Sequence, residues 1–327
     1  MERQLLNLKS VAMQIEPDEL GDEYEKITIK QLDDYDGEVF VTLIRKPCAV
    51  PSKKAVLYIH GFIDYYFQTE MAEQYNAHGY NFYAVDLRKC GRSHRPHQIL
   101  HFNKSFNEYE EDLNKAIEVI TEQDGNTQLL LSAHSTGGIS AALYADSGTY
   151  KDRINAVFLN SPFFGLNEPW FNRWFLNTFG GFISLILPKL IVQKISGLYA
   201  ESMHKDHHGQ WSFNTDWKPT TKFLVRVGWI SSVINAHKII HKGLNVSCPI
   251  LLMHSDSYNK FKKWSEGMLK TDAILNIEHM KQHCANMGKD VTRIEIPDGA
   301  HDLILSEKTV RDSVYQQLFD WLNEKIK

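Results

Sequence analysis

Apolar residues follow two rhythms along this 327-residue chain. Near the N-terminus, Lys26-Ile27-Thr28-Ile29-Lys30 and Val39 to Ile44 alternate with polar positions, which is the period of half-exposed antiparallel strands. Further on, Ala55 to Ile59, Asn81 to Val85, Leu129 to Ser132, Ala156 to Leu159 and Ile250 to Met253 are short, nearly continuous apolar runs, and Val291 to Ile296 closes the series. Such runs suit parallel strands covered on both faces. Helical patterns lie between them. Ser105-Phe106-Asn107-Glu108 has capping-box spacing and predicts a helix reaching about Gln123. Ile277, Met280, Cys284 and Met287 form one apolar stripe, and Val310, Val314, Leu318, Trp321 and Leu322 form another. An initial hairpin followed by alternating strands and helices predicts a doubly wound, mostly parallel eight-stranded α/β sheet flanked by helices.

One stretch breaks this rhythm. Between Phe163 and Gly243 the aromatics crowd together, with Phe163, Phe164, Trp170, Phe171, Trp174, Phe175, Phe179 and Phe182 followed by Trp211, Phe213, Trp217 and Trp229. It reads as a mostly helical cap, residues 163–243, inserted between a first core segment at 1–162 and a second at 244–327. Most of these aromatics should pack against one another, leaving a minority to touch a ligand.

Composition narrows the class. A net charge of -4 without any dense Lys/Arg block argues against a nucleic-acid surface. Cys48, Cys90, Cys248 and Cys284 lie far apart without paired metal-ligand spacing, as free thiols in a reducing compartment would. Met1 to Asn7 lacks the apolar core of a signal peptide, and Gly180-Gly181, Pro188, Lys189 and Lys194 interrupt the apolar stretch from Trp174 to Ile195. A cytoplasmic location is expected by default. The oligomeric state is not legible.

The chemistry centres on Ala133-His134-Ser135-Thr136-Gly137, set between the run Leu129-Leu130-Leu131 and a helix start. A strand, a sharp turn with serine at its tip and a following helix make a nucleophile elbow. Small residues are needed two places either side of the serine; Gly137 meets this fully and Ala133 with one extra methyl. Serine needs a base, and His301, in a loop after the last strand, would reach the same sheet edge. A carboxylate should orient that histidine. Asp256, close behind the strand at Ile250 to Met253, and Asp272, just before the helix of Met280 and a candidate N-cap, both qualify. Oxyanion donors are expected from the amide of Thr136, directly after the serine, and from that of Phe62 in His60-Gly61-Phe62. His60 itself suits a structural role, and Asp86 to Ser93 an ordered turn whose Asp and Arg residues pair as scaffold. His204-Lys205-Asp206-His207-His208 lacks i, i+4 ligand spacing and reads as a solvated loop, so neither metal nor cofactor is expected.

These strings together resemble the α/β-hydrolase superfamily, and within it the lysophospholipase and monoacylglycerol-lipase-like branch grouped with serine aminopeptidase-like domains. The likeness runs from about Glu23 onward, through His60 to Tyr65, Asp86 to Ser93, Ala133 to Gly138, Gly299 to Asp302 and, in the cap, Gly209 to Phe213 with Asp216 to Pro219. It implies Ser135 as nucleophile, His301 as base, Phe62 and Thr136 as oxyanion hole, and favours Asp272, which opens Asp272-Ala273-Ile274-Leu275-Asn276, as the acid. The implied activity is cleavage of carboxylic esters with a hydrophobic acyl group, such as lysophospholipids or monoacylglycerols, with transient membrane-surface contact through the cap. The rival readings are a serine aminopeptidase, for which Glu168, Glu201 and Asp216 are scattered candidate ammonium ligands, and a non-catalytic ligand-binding protein on the same scaffold.

Overall fold

The computed structural model describes residues 13–167 and 181–326. The N-terminal segment, Glu168 and the aromatics Trp170, Phe171, Trp174, Phe175 and Phe179 lie outside the described residues.

The strands are β1 (Met13–Asp18), β2 (Gly21–Lys30), β3 (Phe40–Lys46), β4 (Lys54–Ile59), β5 (Tyr80–Asp86), β6 (Gln128–His134), β7 (Ile154–Asn160), β8 (Ile191–Ile195), β9 (Phe223–Arg226), β10 (Ile250–Ser255) and β11 (Val291–Ile296). The helices are α1 (Thr69–Ala77), α2 (Glu108–Glu118), α3 (Thr136–Ser147), α4 (Leu198–Met203), α5 (Val227–Lys242), α6 (Ile277–Cys284) and α7 (Lys308–Lys325). Nine strands form the main sheet in the order β1-β2-β3-β5-β4-β6-β7-β10-β11. The first three pair antiparallel with their neighbours and the rest run parallel.

The sheet therefore holds nine strands rather than eight. The extra one, β1, pairs with β2 from Met13↔Ile29 onward. Its sequence, MQIEPD, carries a proline and no clear alternation, both tolerable only at an edge.

Side chains alternate across the central strands, which splits the core in two. On β4, Ala55, Leu57 and Ile59 join the side chains of α2, α3, α5 and α6 on one face, while Val56 and Tyr58 join those of α1 and α7 on the other. Val314, Leu318, Trp321 and Leu322 of the predicted C-terminal stripe are buried, as are Ile277, Met280, Cys284 and Met287. Helix α2 starts two residues later than the capping pattern implies and continues as one π turn at Val119–Gln123. Ser105 Oγ accepts from the Asn107 amide, and Glu108 reaches back to the Lys104 amide.

The segment between β7 and β10 is not purely helical. It holds a two-stranded antiparallel sheet, β8 with β9, besides α4 and α5. Strand β8 is almost wholly exposed, and its order Ile191-Val192-Gln193-Lys194-Ile195 shows no alternation of apolar and polar positions.

Sheet order also places the site. The chain goes from β4 to β5 on one side, then returns to lay β6 on the other side of β4. Loops leaving the carboxyl ends of β4 and β6 thus diverge over a crevice at the point where strand order reverses. Register keeps the strand ends level, with Ile59 opposite Ala133 and His134 opposite Asn160.

Candidate active site

Ser135 sits between β6 and α3 with φ 52° and ψ -117°, a conformation that costs energy for any residue but glycine. Surrounding bonds hold it there. Its amide donates to the Asn160 carbonyl (3.0 Å), and its own carbonyl accepts from the amides of Gly138 (3.0 Å) and Phe163 (2.9 Å). A Cβ at Gly137 would lie 2.5 Å from the His60 carbonyl oxygen, a backbone atom with no freedom to retreat. Ala133, by contrast, accommodates its methyl within the core. Gly137→Ala is therefore expected to cost about 1–3 kcal/mol through overpacking and to disturb the serine with it, measured by denaturant melts.

His301 lies after β11 and Asp272 in the loop between β10 and α6. Ser135 Oγ is 3.1 Å from His301 Nε2, and His301 Nδ1 is 3.0 Å from Asp272 Oδ2. Because an ionised carboxylate only accepts, His301 donates from Nδ1, which leaves Nε2 free to accept the serine proton. Asp272 is fully buried, and its other oxygen accepts from the amides of Ile274 (2.9 Å) and Leu275 (2.7 Å). Both carboxylate oxygens are thereby fixed. Of the two competing aspartates, Asp272 meets His301, whereas Asp256 is exposed. Asp272 does not cap α6; that place is taken by Asn276, whose side chain accepts from the Glu278 amide.

Phe62 and Thr136 line one narrow cavity of about 10 Å³, room for a single water, together with Gly61 and Gly137. Thr136 opens α3, so its amide is one of the helix's unpaired N-terminal donors, free to face a developing oxyanion. The Phe62 ring stacks on Trp229 of α5 (centroids 3.8 Å apart) and meets Phe223 and His101 edge-on. Burial pushes His101 down to about 3, and its neutral ring donates from Nε2 to the Trp217 carbonyl (2.8 Å). His60 Nε2 accepts from the Leu87 amide (3.1 Å), so Nδ1 donates to the Gly61 carbonyl (2.7 Å). This ring is committed on both sides to holding loops.

Sequence reasoning missed a second cluster beside this one. Asp64, His134 and Asp302 are buried, and Lys218 Nζ donates to Asp64 Oδ1 at 2.7 Å. His134 Nδ1 lies 3.8 Å from Asp64 Oδ2 and 3.7 Å from Asp302 Oδ2. The strings containing all four residues stood out in the sequence, but nothing in them showed that the end of β6 and three separate loops converge.

This doubly wound sheet, with its serine turn over the strand-order reversal, makes the protein an α/β-hydrolase. A family model described as "Serine aminopeptidase, S33" matches residues 50–308, and the chain belongs to that family. It is 22% identical over 272 residues to a probable lysophospholipase L2 of Haemophilus influenzae, covering 78% of this chain and 79% of that one. Among solved structures it is similar to a monoglyceride lipase of Saccharomyces cerevisiae in complex with a substrate analogue (TM-score 0.65, 15% identity, 97% of this chain and 98% of that one). A monoacylglycerol lipase of Paleococcus ferrophilus shares the same fold (TM-score 0.59, 19% identity, 87% of this chain and 98% of that one).

Proposed function

We propose that the protein is a serine ester hydrolase that works through an acyl-enzyme on monoacylglycerol- or lysophospholipid-like esters. The observation that carries this reading is the unbroken relay from Ser135 Oγ to His301 Nε2 and from His301 Nδ1 to Asp272, mounted on a strained turn. In the reaction, Ser135 Oγ attacks the ester carbonyl carbon while its proton passes to His301 Nε2. The carbonyl oxygen takes the negative charge and is held by the amides of Thr136 and Phe62. The C–O bond to the alcohol then breaks, and His301 returns the proton to the leaving oxygen. Water, deprotonated by the same histidine, attacks the acyl-enzyme and releases the acid.

The substrate class rests on apolar surface and on kinship. Phe62, Trp229 and Phe223 form an aromatic wall beside the oxyanion loop, suited to an acyl chain. Relatives named as lysophospholipase and monoacylglycerol lipase point the same way. The β7–β10 segment, which we read as a cap at 163–243, also exposes Phe182, Leu185, Ile186, Leu187, Leu190 and Ile191. With Lys194 on β8 and Lys222 directly before its partner strand β9, this apolar face suits transient contact with an anionic lipid surface. Among the described residues, no helix is long and apolar enough to cross a membrane.

The test is a p-nitrophenyl ester series of graded acyl length, with aminoacyl arylamides as controls. Burying each added methylene contributes about 0.8 kcal/mol, so kcat/KM should rise about fourfold per methylene until the pocket is filled. A flat series would overturn the lipid-like substrate class, and faster turnover of the arylamides would favour an aminopeptidase.

A further inference from the structure

Four buried charged or chargeable groups pack against the site without belonging to the serine relay. Each is a near neighbour in sequence of a residue placed there, or comes from the segment above it. Asp64 lies two residues beyond Phe62, His134 directly precedes Ser135, Asp302 directly follows His301, and Lys218 comes from between β8 and β9. Their exposures are 3%, 4%, 1% and 4%.

Hydrogen bonding satisfies this group only in part. Asp64 Oδ1 accepts from Lys218 Nζ (2.7 Å) and from the Tyr65 amide (2.9 Å). Asp302 Oδ1 accepts from Asn160 Nδ2 (2.6 Å) and the Ile304 amide (3.3 Å). Asp302 Oδ2 and both ring nitrogens of His134 have no hydrogen-bond partner, although all are buried. Orphaned groups of this kind cost stability unless something compensates them. The nearest compensation is mutual, since His134 Nδ1 stands 3.8 and 3.7 Å from the two carboxylates, a separation that one water would bridge.

Charge balance decides the state of the ring. Two carboxylates and one ammonium leave a net charge of about -1 in a low-dielectric site if His134 is neutral, and none if it is protonated. We propose that His134 is a positioning residue for the reaction above: an imidazolium that ties Asp64, Asp302 and Lys218 into one neutral cluster and so fixes the loops of Phe62, Ser135 and His301 relative to each other. The inference rests on the serine-hydrolase reading for its kinetic consequence, but not for the protonation itself.

The groups facing His134 agree with this assignment. Burial opposes the charge on its ring, but the Asp302 and Asp64 carboxylates outweigh both burial and the repulsion from Lys218, so its pKa is raised. Burial likewise opposes the Asp64 carboxylate, and Lys218 and His134 more than reverse this, holding it well below the usual range. The His301 ring is the other close titratable neighbour, with centroids 4.8 Å apart. The phenols of Tyr58 and Tyr199 feel the same two aspartates and are pushed up, chiefly by burial. With a raised pKa the imidazolium is complete below the ordinary histidine value of about 6.5 and is lost as pH rises through its own pKa. The cluster should then loosen on the alkaline side.

The test has two arms. In Ser135→Ala protein labelled with 15N-histidine, with the His134 signal assigned by comparison with Ser135→Ala/His134→Gln, the ring should be protonated at pH 7 and titrate above the ordinary value. In His134→Gln, kcat for a p-nitrophenyl ester should fall about 10–100-fold with little change in KM, as for misplaced catalytic groups, and the alkaline limb of the wild-type profile should disappear. A neutral His134 ring at pH 7 would overturn the proposal, as would a variant with the wild-type pH profile. Stoichiometric zinc in the purified protein, removable by chelator with loss of activity, would overturn it in favour of a metal at Asp64, His134 and Asp302. Should His134→Gln not fold, the titration in Ser135→Ala decides, with the His134 signal assigned by through-bond correlation from its own backbone amide. Absence of fluorophosphonate labelling in the wild type would instead refute the hydrolase reading and leave the titration result standing.

Discussion

Ser135→Ala is expected to abolish fluorophosphonate labelling and to lower kcat for ester hydrolysis by about five to six orders of magnitude. Members of a Ser-His-Asp set act as a unit, so removing the nucleophile removes the whole covalent route and leaves only what substrate binding and the oxyanion donors supply. Substrate affinity should change little, because Oγ contributes to bond making rather than to holding the acyl chain. The side chain is small, and the backbone that holds residue 135 at φ 52° is fixed by the bonds of its own amide and carbonyl. Stability should therefore stay close to wild type, which separates a chemical loss from an unfolded variant. The companion pair is Asp272→Asn and Asp256→Asn. An asparagine at 272 presents a donor or a weaker acceptor to His301 Nδ1 and favours the wrong tautomer, so kcat should fall about 10⁴-fold. Asp256→Asn, on an exposed turn, should leave kcat unchanged. Equal effects of the two substitutions would sink the assignment of Asp272.

The contrast between those aspartates shows where sequence reading stopped. Spacing placed the serine between a strand and a helix and the histidine beyond the last strand, because the elbow is made within a few residues by local sterics. The carboxylate was undecided on spacing alone, since Asp256 and Asp272 leave the same strand and only the path of the intervening loop separates them. That path is set by contacts distant in sequence or internal to the loop, such as the bonds joining Asp272 to Ser257 and Asn259. The charge cluster around His134 was hidden for the same reason, its members being brought together from the end of β6 and three loops. Strand β1 failed to show because an edge strand need satisfy only one neighbour and can carry Pro17. The strands and stripes of the buried sheet were readable because burial on both faces leaves little choice of side chain.

The turn after β5 is scaffold, and its central pair should account for the largest single loss of stability outside the hydrophobic core. Arg92 Nε and Nη2 form a forked contact with Asp18 (2.6 and 2.8 Å), while Nη1 donates to Asp86 Oδ2 (2.9 Å) and to the Tyr66 carbonyl (3.0 Å). Asp86 is fully buried and also accepts from the amides of Tyr66 and Arg92. One guanidinium thus joins the edge strand β1, the end of β5 and the loop leading to α1. Burial disfavours its charge, but Asp86 and Asp18 exceed that penalty and raise its pKa, so it stays ionised at any working pH. Arg92→Ala would leave two carboxylates unpaired, one of them at zero exposure, and breaking a buried pair on one side costs about 3–5 kcal/mol. Tm should fall by roughly 6–15 °C, taking about 2–3 °C per kcal/mol for a domain of this size. Lys308→Ala, which removes an exposed partner of Asp312 on α7, should shift stability by less than about 1 kcal/mol. Gly91→Ala approaches the same network from the backbone. Gly91 has φ +46°, and a Cβ there would collide with Asp86 Oδ2 and lie 2.7 Å from Tyr65 Cβ. It should displace the Asp86 carboxylate without removing any charge, and its destabilisation should be largely non-additive with that of Arg92→Ala, because both act on one set of bonds. Additive losses in the double variant, read from denaturant melts, would show instead that Asp86 is held by its amide donors alone.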